Sequence, residues 1–174
     1  MGVKITWQDF GLDDMLKNSQ KLDGKTIEVG YPEPSKEGGV AMIQEYGARI
    51  PVTPKMRAFF RSRGVYLSPQ KTVIVIPERS FLRAGFDKHQ KETLDQAAKA
   101  AGHFLSGSLG LNQYLDMIGL LLSSKIKDYA IQLKSPPNAA LTVLWKGSSN
   151  PLVDSGQMVR AITWKVKGEG NRYV

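Results

Sequence analysis

The chain has 174 residues, 41% of them hydrophobic and 23% charged, with a formal net charge of +8 and no cysteine. That length suits one ordinary domain, and the composition is that of a folded globular chain rather than a disordered one. The lack of cysteine excludes disulfides, thiolate metal sites and cysteine nucleophiles, while the positive charge points to an acidic partner.

At the amino terminus Val3, Ile5 and Trp7 alternate with Lys4 and Thr6, the pattern of a half-buried strand, with no apolar run of signal-peptide type. Leu12 to Leu22 places apolar residues near helical spacing and ends before the Asp23-Gly24 turn. Ile27, Val29 and Tyr31 alternate again, which predicts a second strand that stops at Pro32-Glu33-Pro34-Ser35. Val40, Ile43 and Tyr46 stand three apart, so Gly39 to Tyr46 is expected to be a two-turn helix closed by Gly47. Ile50 to Pro54 is extended. Thr53 followed by Pro54 is a helix start, giving a short basic helix from Lys55 to Arg63. Val65 to Leu67 and Thr72 to Ile76 flank Ser68-Pro69-Gln70-Lys71 and are expected to form a hairpin.

The charge concentrates in this region. From Ala48 to Gly85 there are eight basic residues and one acidic residue, a net of +7. Met56, Phe59, Phe60, Tyr66 and Phe81 lie among the arginines. Arginine with aromatics is the composition of buried protein contacts, and the same residue types suit stacked bases and phosphates. A solvated basic hairpin with a local core is the third reading. Residues 48–85 are expected to form an arm inserted into a single domain spanning 1–174.

From Asp87 onward Leu94, Ala97, Ala98, Ala101, Phe104 and Leu105 predict a core-facing helix. A longer one is expected from Leu109 to Leu133 on the stripe Leu111, Leu115, Ile118, Leu122, Ile126 and Tyr129. Its most apolar portion, Tyr114 to Leu122, contains Asp116 and is far short of the roughly 20 apolar residues of a membrane span, so no membrane partner is expected. Ser135-Pro136-Pro137-Asn138 ends it. Leu141, Val143 and Trp145, then Ile162, Trp164 and Val166, alternate as strands and are expected to pair. The fold class is therefore α+β: a mixed or antiparallel sheet of about four strands packed by two long helices, with the basic arm extending from it.

Leu152-Val153-Asp154-Ser155-Gly156 matches the aspartic-protease signature, but that chemistry needs two carboxylates sharing a proton, and the flanking Gln157 and Ala161-Ile162-Thr163 depart from the pattern. Asp154 and Ser155 are better read as caps of a short helix. His89 and His103 lack metal-ligand spacing, and Gly107-Ser108-Leu109-Gly110 lacks the lysine of a phosphate loop. No catalytic constellation, metal or cofactor is expected, and the chain is not read as an enzyme.

Four blocks stand in order: Ala41-Met42-Ile43-Gln44-Glu45-Tyr46-Gly47, Ile50 to Phe60, Ile76-Pro77-Glu78-Arg79-Ser80-Phe81-Leu82-Arg83, and Asn150-Pro151-Leu152-Val153-Asp154-Ser155-Gly156-Gln157-Met158. Together they resemble the tail-completion or neck proteins of tailed bacteriophages, the virion morphogenesis proteins. The resemblance implies a structural virion subunit, assembled in the host cytoplasm, forming a six-fold ring of its own copies at the head-proximal end of the tail. Its neighbours would be the tail terminator or tail tube protein and the head connector or adaptor, with transient DNA contact as a further expectation. Minor tail proteins share similar blocks. The contact residues expected on this reading are Lys55, Arg57, Phe59, Phe60, Arg61, Arg63, Arg79, Phe81 and Arg83.

Overall fold

A computed structural model describes residues 11–168. The expected strand at Val3 to Trp7 and the terminal stretch from Glu169 lie outside the described residues. The described chain is α+β, with seven helices and two small antiparallel sheets.

Helix α1 (Leu12–Gln20) leads through the Asp23-Gly24 turn into β1 (Thr26–Gly30). α2 (Lys36–Tyr46) starts earlier than its apolar spacing suggests, because the Ser35 hydroxyl accepts from the Gly38 amide at 3.0 Å and caps it. β2 (Ala48–Pro51), α3 (Pro54–Ser62) and β3 (Val73–Ile76) make up the arm. Thr53 caps α3, its hydroxyl accepting from Met56 N at 3.2 Å, with Pro54 in the first turn as expected. α4 (Leu82–Leu105) and α5 (Leu111–Gln132) pack against each other, and α6 (Ala140–Lys146), α7 (Gln157–Arg160) and β4 (Thr163–Lys167) complete the described order.

The four strands form two separate pairs. β1 pairs with β4, placing Ile27 opposite Val166 and Val29 opposite Trp164, and this ribbon lies on α5. β2 pairs with β3 at the base of the arm, Ile50 facing Ile74. Two expectations are corrected here. Val65 to Leu67 is not a hairpin strand; Val73 to Ile76 takes Ala48 to Pro51 as its partner instead. Leu141 to Trp145 is helix, not the strand partner of Ile162 to Val166. Five alternating residues fit either period, and Ala139-Ala140 before them with Gly147 in the left-handed cap position after them favour the helix.

Two apolar clusters hold the body. Phe81, Leu122, Ile126, Leu152, Val159 and Ile162 with Ala41 and Ala130 form the larger, and Phe104, Tyr114 and Leu115 the smaller. In the second, the Phe104 and Tyr114 rings stack at 4.9 Å, and the Tyr114 hydroxyl donates to Ala97 O at 3.1 Å. The α5 stripe packs as expected. On α4 the inward face is Gly85, Thr93, Ala97 and Phe104, whereas Leu94 and Ala98 point outward.

Trp164 of β4 crosses α5 between Asp116, whose carboxylate accepts from the indole Nε1 at 3.0 Å, and Gly119. A Cβ at position 119 would overlap the indole. Alanine gains about 1 kcal/mol over glycine inside a helix, while overpacking costs about 1–3 kcal/mol and also displaces the indole from Asp116. Gly119→Ala is therefore expected to destabilise the chain by about 1–2 kcal/mol, read by urea denaturation. A stabilised variant would contradict this packing.

Candidate interaction site

The arm leaves the body at Gly47 and returns at Pro77. Gly47 has φ of 72°, and a Cβ there would lie 2.8 Å from Ile76 O and 2.9 Å from Glu78 N, so only glycine lets the outgoing and returning strands approach this closely. Just before that glycine, Gln44 and Glu45 at the end of α2 grip the returning strand. Gln44 O accepts from Arg79 N at 2.8 Å, and Gln44 Oε1 from Arg79 Nη1 at 2.6 Å.

Glu45 is buried. Its carboxylate accepts from Leu82 N at 2.8 Å, Arg83 N at 3.1 Å, Arg83 Nε at 3.0 Å and Ser80 Oγ at 3.0 Å. Leu82 and Arg83 open α4, so a side chain from α2 satisfies amides that have no partner within their own helix and places its charge at the positive end of the helix dipole. Burial acts to raise the Glu45 carboxyl, but these hydrogen bonds outweigh it and hold the group below its ordinary value. Arg83 also reaches Glu78 at 2.7 Å and lies over the Tyr46 ring at 4.6 Å.

Arg79 is buried too, and its remaining donors go to Pro136 O at 2.8 Å, Pro137 O at 3.0 Å and Asn138 Oδ1 at 3.3 Å. It has no carboxylate partner among the described residues, and burial lowers its affinity for the proton. Asn138 in turn donates to Asn150 O at 3.2 Å, and Asn150 Oδ1 accepts from Leu152 N and Val153 N. The first, third and fourth sequence blocks thus meet around one hydrogen-bonded hub at the foot of the arm, with the Pro-Pro-Asn turn between them.

The arm itself is different. No residue from Tyr46 to Glu78 is buried, although the stretch contains Met56, Phe59, Phe60, Tyr66 and the aliphatic strand β3. Phe59 is 50% and Tyr66 78% exposed. Arg57 donates to the carbonyls of Leu67, Ser68, Pro69 and Lys71, the shortest at 2.7 Å, and so holds the 67–71 loop against α3. Phe60 stacks on Trp145 of α6 with centroids 5.7 Å apart, and the Arg63 guanidinium lies 5.2 Å from the Phe59 ring centre. Lys55, Arg61, Arg63, Arg49 and Lys71 are exposed, and none forms an ion pair with a described residue.

The expected contact residues therefore divide. Lys55, Phe59, Arg61 and Arg63 stand on the arm surface. Phe60 and Arg57 are on the arm but engaged within the chain. Arg79 and Phe81 are interior, which corrects their reading as outward contacts, while Arg83 braces Glu45 with its side chain still half exposed. The cap assignment is corrected as well: Gly156 is the N-cap of α7 in left-handed conformation, and neither Asp154 nor Ser155 caps it by side chain. Asp154 is exposed and acts on Lys146, partly offsetting the burial that lowers that ammonium.

No family model, no curated protein and no solved structure matches the chain.

Glu45 and Gln44 were missed by sequence reasoning as the anchors of the hub. The local signal was slight: Glu45 stands one turn after Ala41, the residue α2 buries with it, whereas Val40, Ile43 and Tyr46, whose spacing predicts the helix, are exposed. Glu45→Gln keeps the shape and removes the charge, and is expected to cost about 1.5–3 kcal/mol, the range for hydrogen bonds to a charged group. The pH dependence gives the sign. A carboxyl held below its ordinary value of 4.5 adds stability that is complete above that pH and is lost as the pH falls through the lower folded value. Denaturation at a series of pH values should show that loss in the parent chain and a flatter profile in the variant; parallel profiles would contradict the assignment.

Proposed function

We propose that this chain is a structural, non-catalytic subunit of a tailed-phage virion, forming a six-fold ring of its own copies in the neck, where it completes the tail and joins it to the head connector. The observation that supports this best is the arm: an acid-free, aromatic-bearing element with no buried residue, fixed at its foot by a buried hydrogen-bonded hub. Exposed apolar surface on this scale gains by being covered, and arginine with aromatics is what protein interfaces bury. The rigid foot reduces the conformational cost of that docking. The resemblance of the four ordered blocks supplies the setting, with the tail terminator or tail tube on one side and the connector on the other. No described helix is long and apolar enough to cross a membrane.

A second reading, a DNA-contacting module that uses the basic arm, is favoured by the exposed cations of that arm. Salt separates the two. Phosphate contacts weaken linearly in log salt with a slope near one per phosphate, whereas a largely apolar contact does not.

Phe59→Ala combined with Phe60→Ala leaves the body core untouched and is expected to reduce head–tail joining at least ten-fold in an assembly assay, with α-helical circular dichroism retained. Joining at the normal yield would overturn the arm as the docking element.

A further inference from the structure

We infer that the arm of one copy docks on α1 of a second copy, setting the basic helix α3 against the acidic first turn of α1. The inference rests on the ring reading and names the contact that builds the ring. α1 and α3 are both nine-residue helices, and neither has a buried residue. Their surfaces are opposite in charge and alike in carrying exposed apolar groups. On α3 and the residue that closes it, Lys55, Arg61 and Arg63 stand exposed around the half-exposed Phe59. On α1, Asp13 and Asp14 are the one place in the sequence where two acids adjoin. Leu12 and Leu16, one turn apart beside them, are both more than half exposed. Asp14 meets Lys17 at 3.7 Å, but with both side chains largely exposed that pair is weak and exchangeable.

Between Ala48 and Ile76 there are six cations and no acid, and covering them with an uncharged surface leaves cations desolvated and unpaired. At the tip a cleft of about 310 Å³, lined by Arg57, Arg61, Val65, Tyr66, Leu67 and Pro69, sets two guanidinium-bearing side chains beside apolar walls. Leu16, with Asp13 three residues before it on the neighbouring face of α1, is the matching arrangement: a leucine for the cleft and a carboxylate for its rim. The other acids suit less well. Glu28, Glu33, Glu78 and Glu92 hold lysine or arginine partners within the chain, and Asp23 stands between Lys21 and Lys25. Geometry makes the contact intermolecular. Asn18 of α1 donates to Leu105 O at 2.9 Å, at the last residue of α4, whereas the arm rejoins the body just ahead of Leu82, the first. The 24 residues of α4 span about 36 Å. Two different patches based at opposite ends of one helix join copies head to tail, the heterologous contact from which closed rings are built. A phosphate backbone would answer the cations of the arm and leave the acids and leucines of α1 unused; a second copy uses both.

The test is sedimentation velocity of the full chain and of charge-reversed variants. Arg61→Glu with Arg63→Glu and, separately, Asp13→Arg with Asp14→Arg are each expected to weaken self-association at least ten-fold. Mixed in equal amounts, the two variants should regain the parent's association, because each acidic arm then meets a basic α1 and each basic arm an acidic one. Lys91→Glu with Lys99→Glu on α4 changes the net charge as much as the arm reversal does and should not weaken association. Self-association that survives either reversal would overturn the inference while leaving the ring reading in place; survival of the arm reversal would give the arm to another occupant, a different protein or nucleic acid. A mixture that stays dissociated would overturn it as well, since complementary charge alone restores the pair. A parent chain that stays monomeric would contradict the ring and this contact together.

Discussion

A carboxylate taken out of water costs several kcal/mol unless its lone pairs are filled, and at Glu45 they are filled by the first turn of another helix. The four donors come from Ser80, Leu82 and Arg83, all within a few residues of where the arm rejoins the body, while Glu45 itself lies two residues before the glycine where the arm departs. This one charge therefore fixes three things together: the end of α2, the start of α4 and the spacing of the strands that enter and leave the arm. Arg79 extends the same constraint to the Pro-Pro-Asn turn and, through Asn138 and Asn150, to the segment that leads into α7. Buried polar groups gather at the foot and are absent from the described residues of the tip, and that division sets where the chain is most firmly held.

The arm obeys a different balance. Its local geometry is well specified by the Thr53 cap, by Arg57 on the loop carbonyls and by the β2–β3 ladder, but these leave its apolar side chains at most half-buried. Most stability in proteins comes from such burial. The Phe60–Trp145 stack is the tip's aromatic contact with the body, and an exposed stack of this kind contributes about 0.5–1.5 kcal/mol. The arm is thus shaped without being strongly held, a condition suited to an element completed by a partner.

Elements governed by local chemistry were legible in the sequence. Alternation at Ile27 to Tyr31 and at Ile162 to Val166, the 3.6-residue stripe of α5, and the Thr53-Pro54 start of α3 all depend on residues within one or two turns. What escaped depends on distant ones. α4 begins at Leu82 rather than Asp87 because its cap is supplied by a side chain 37 residues earlier, and nothing near Phe81 signals it. Arg79 and Phe81 read as contact residues because composition does not distinguish an arginine that faces a partner from one that faces backbone carbonyls inside its own chain. Which strands pair was also hidden, since β1 and β4 are separated by nearly the whole body and β2 and β3 by the arm tip. Of the contact surface, the charge concentration was evident from counting; its division into exposed, engaged and buried members required the fold.

Residue-level hydrogen exchange on the isolated chain and on the assembled particle tests this account most directly. In the isolated chain the amides of Leu82 and Arg83 should exchange slowly, with those of α5, while the ladder amides of β2 and β3 and the amides of α3 exchange much faster; on assembly the arm amides should become protected and those at Glu45 should change little. Arm amides as protected as α5 before assembly, or still unprotected after it, would contradict the claim that a rigid foot presents an arm awaiting its partner.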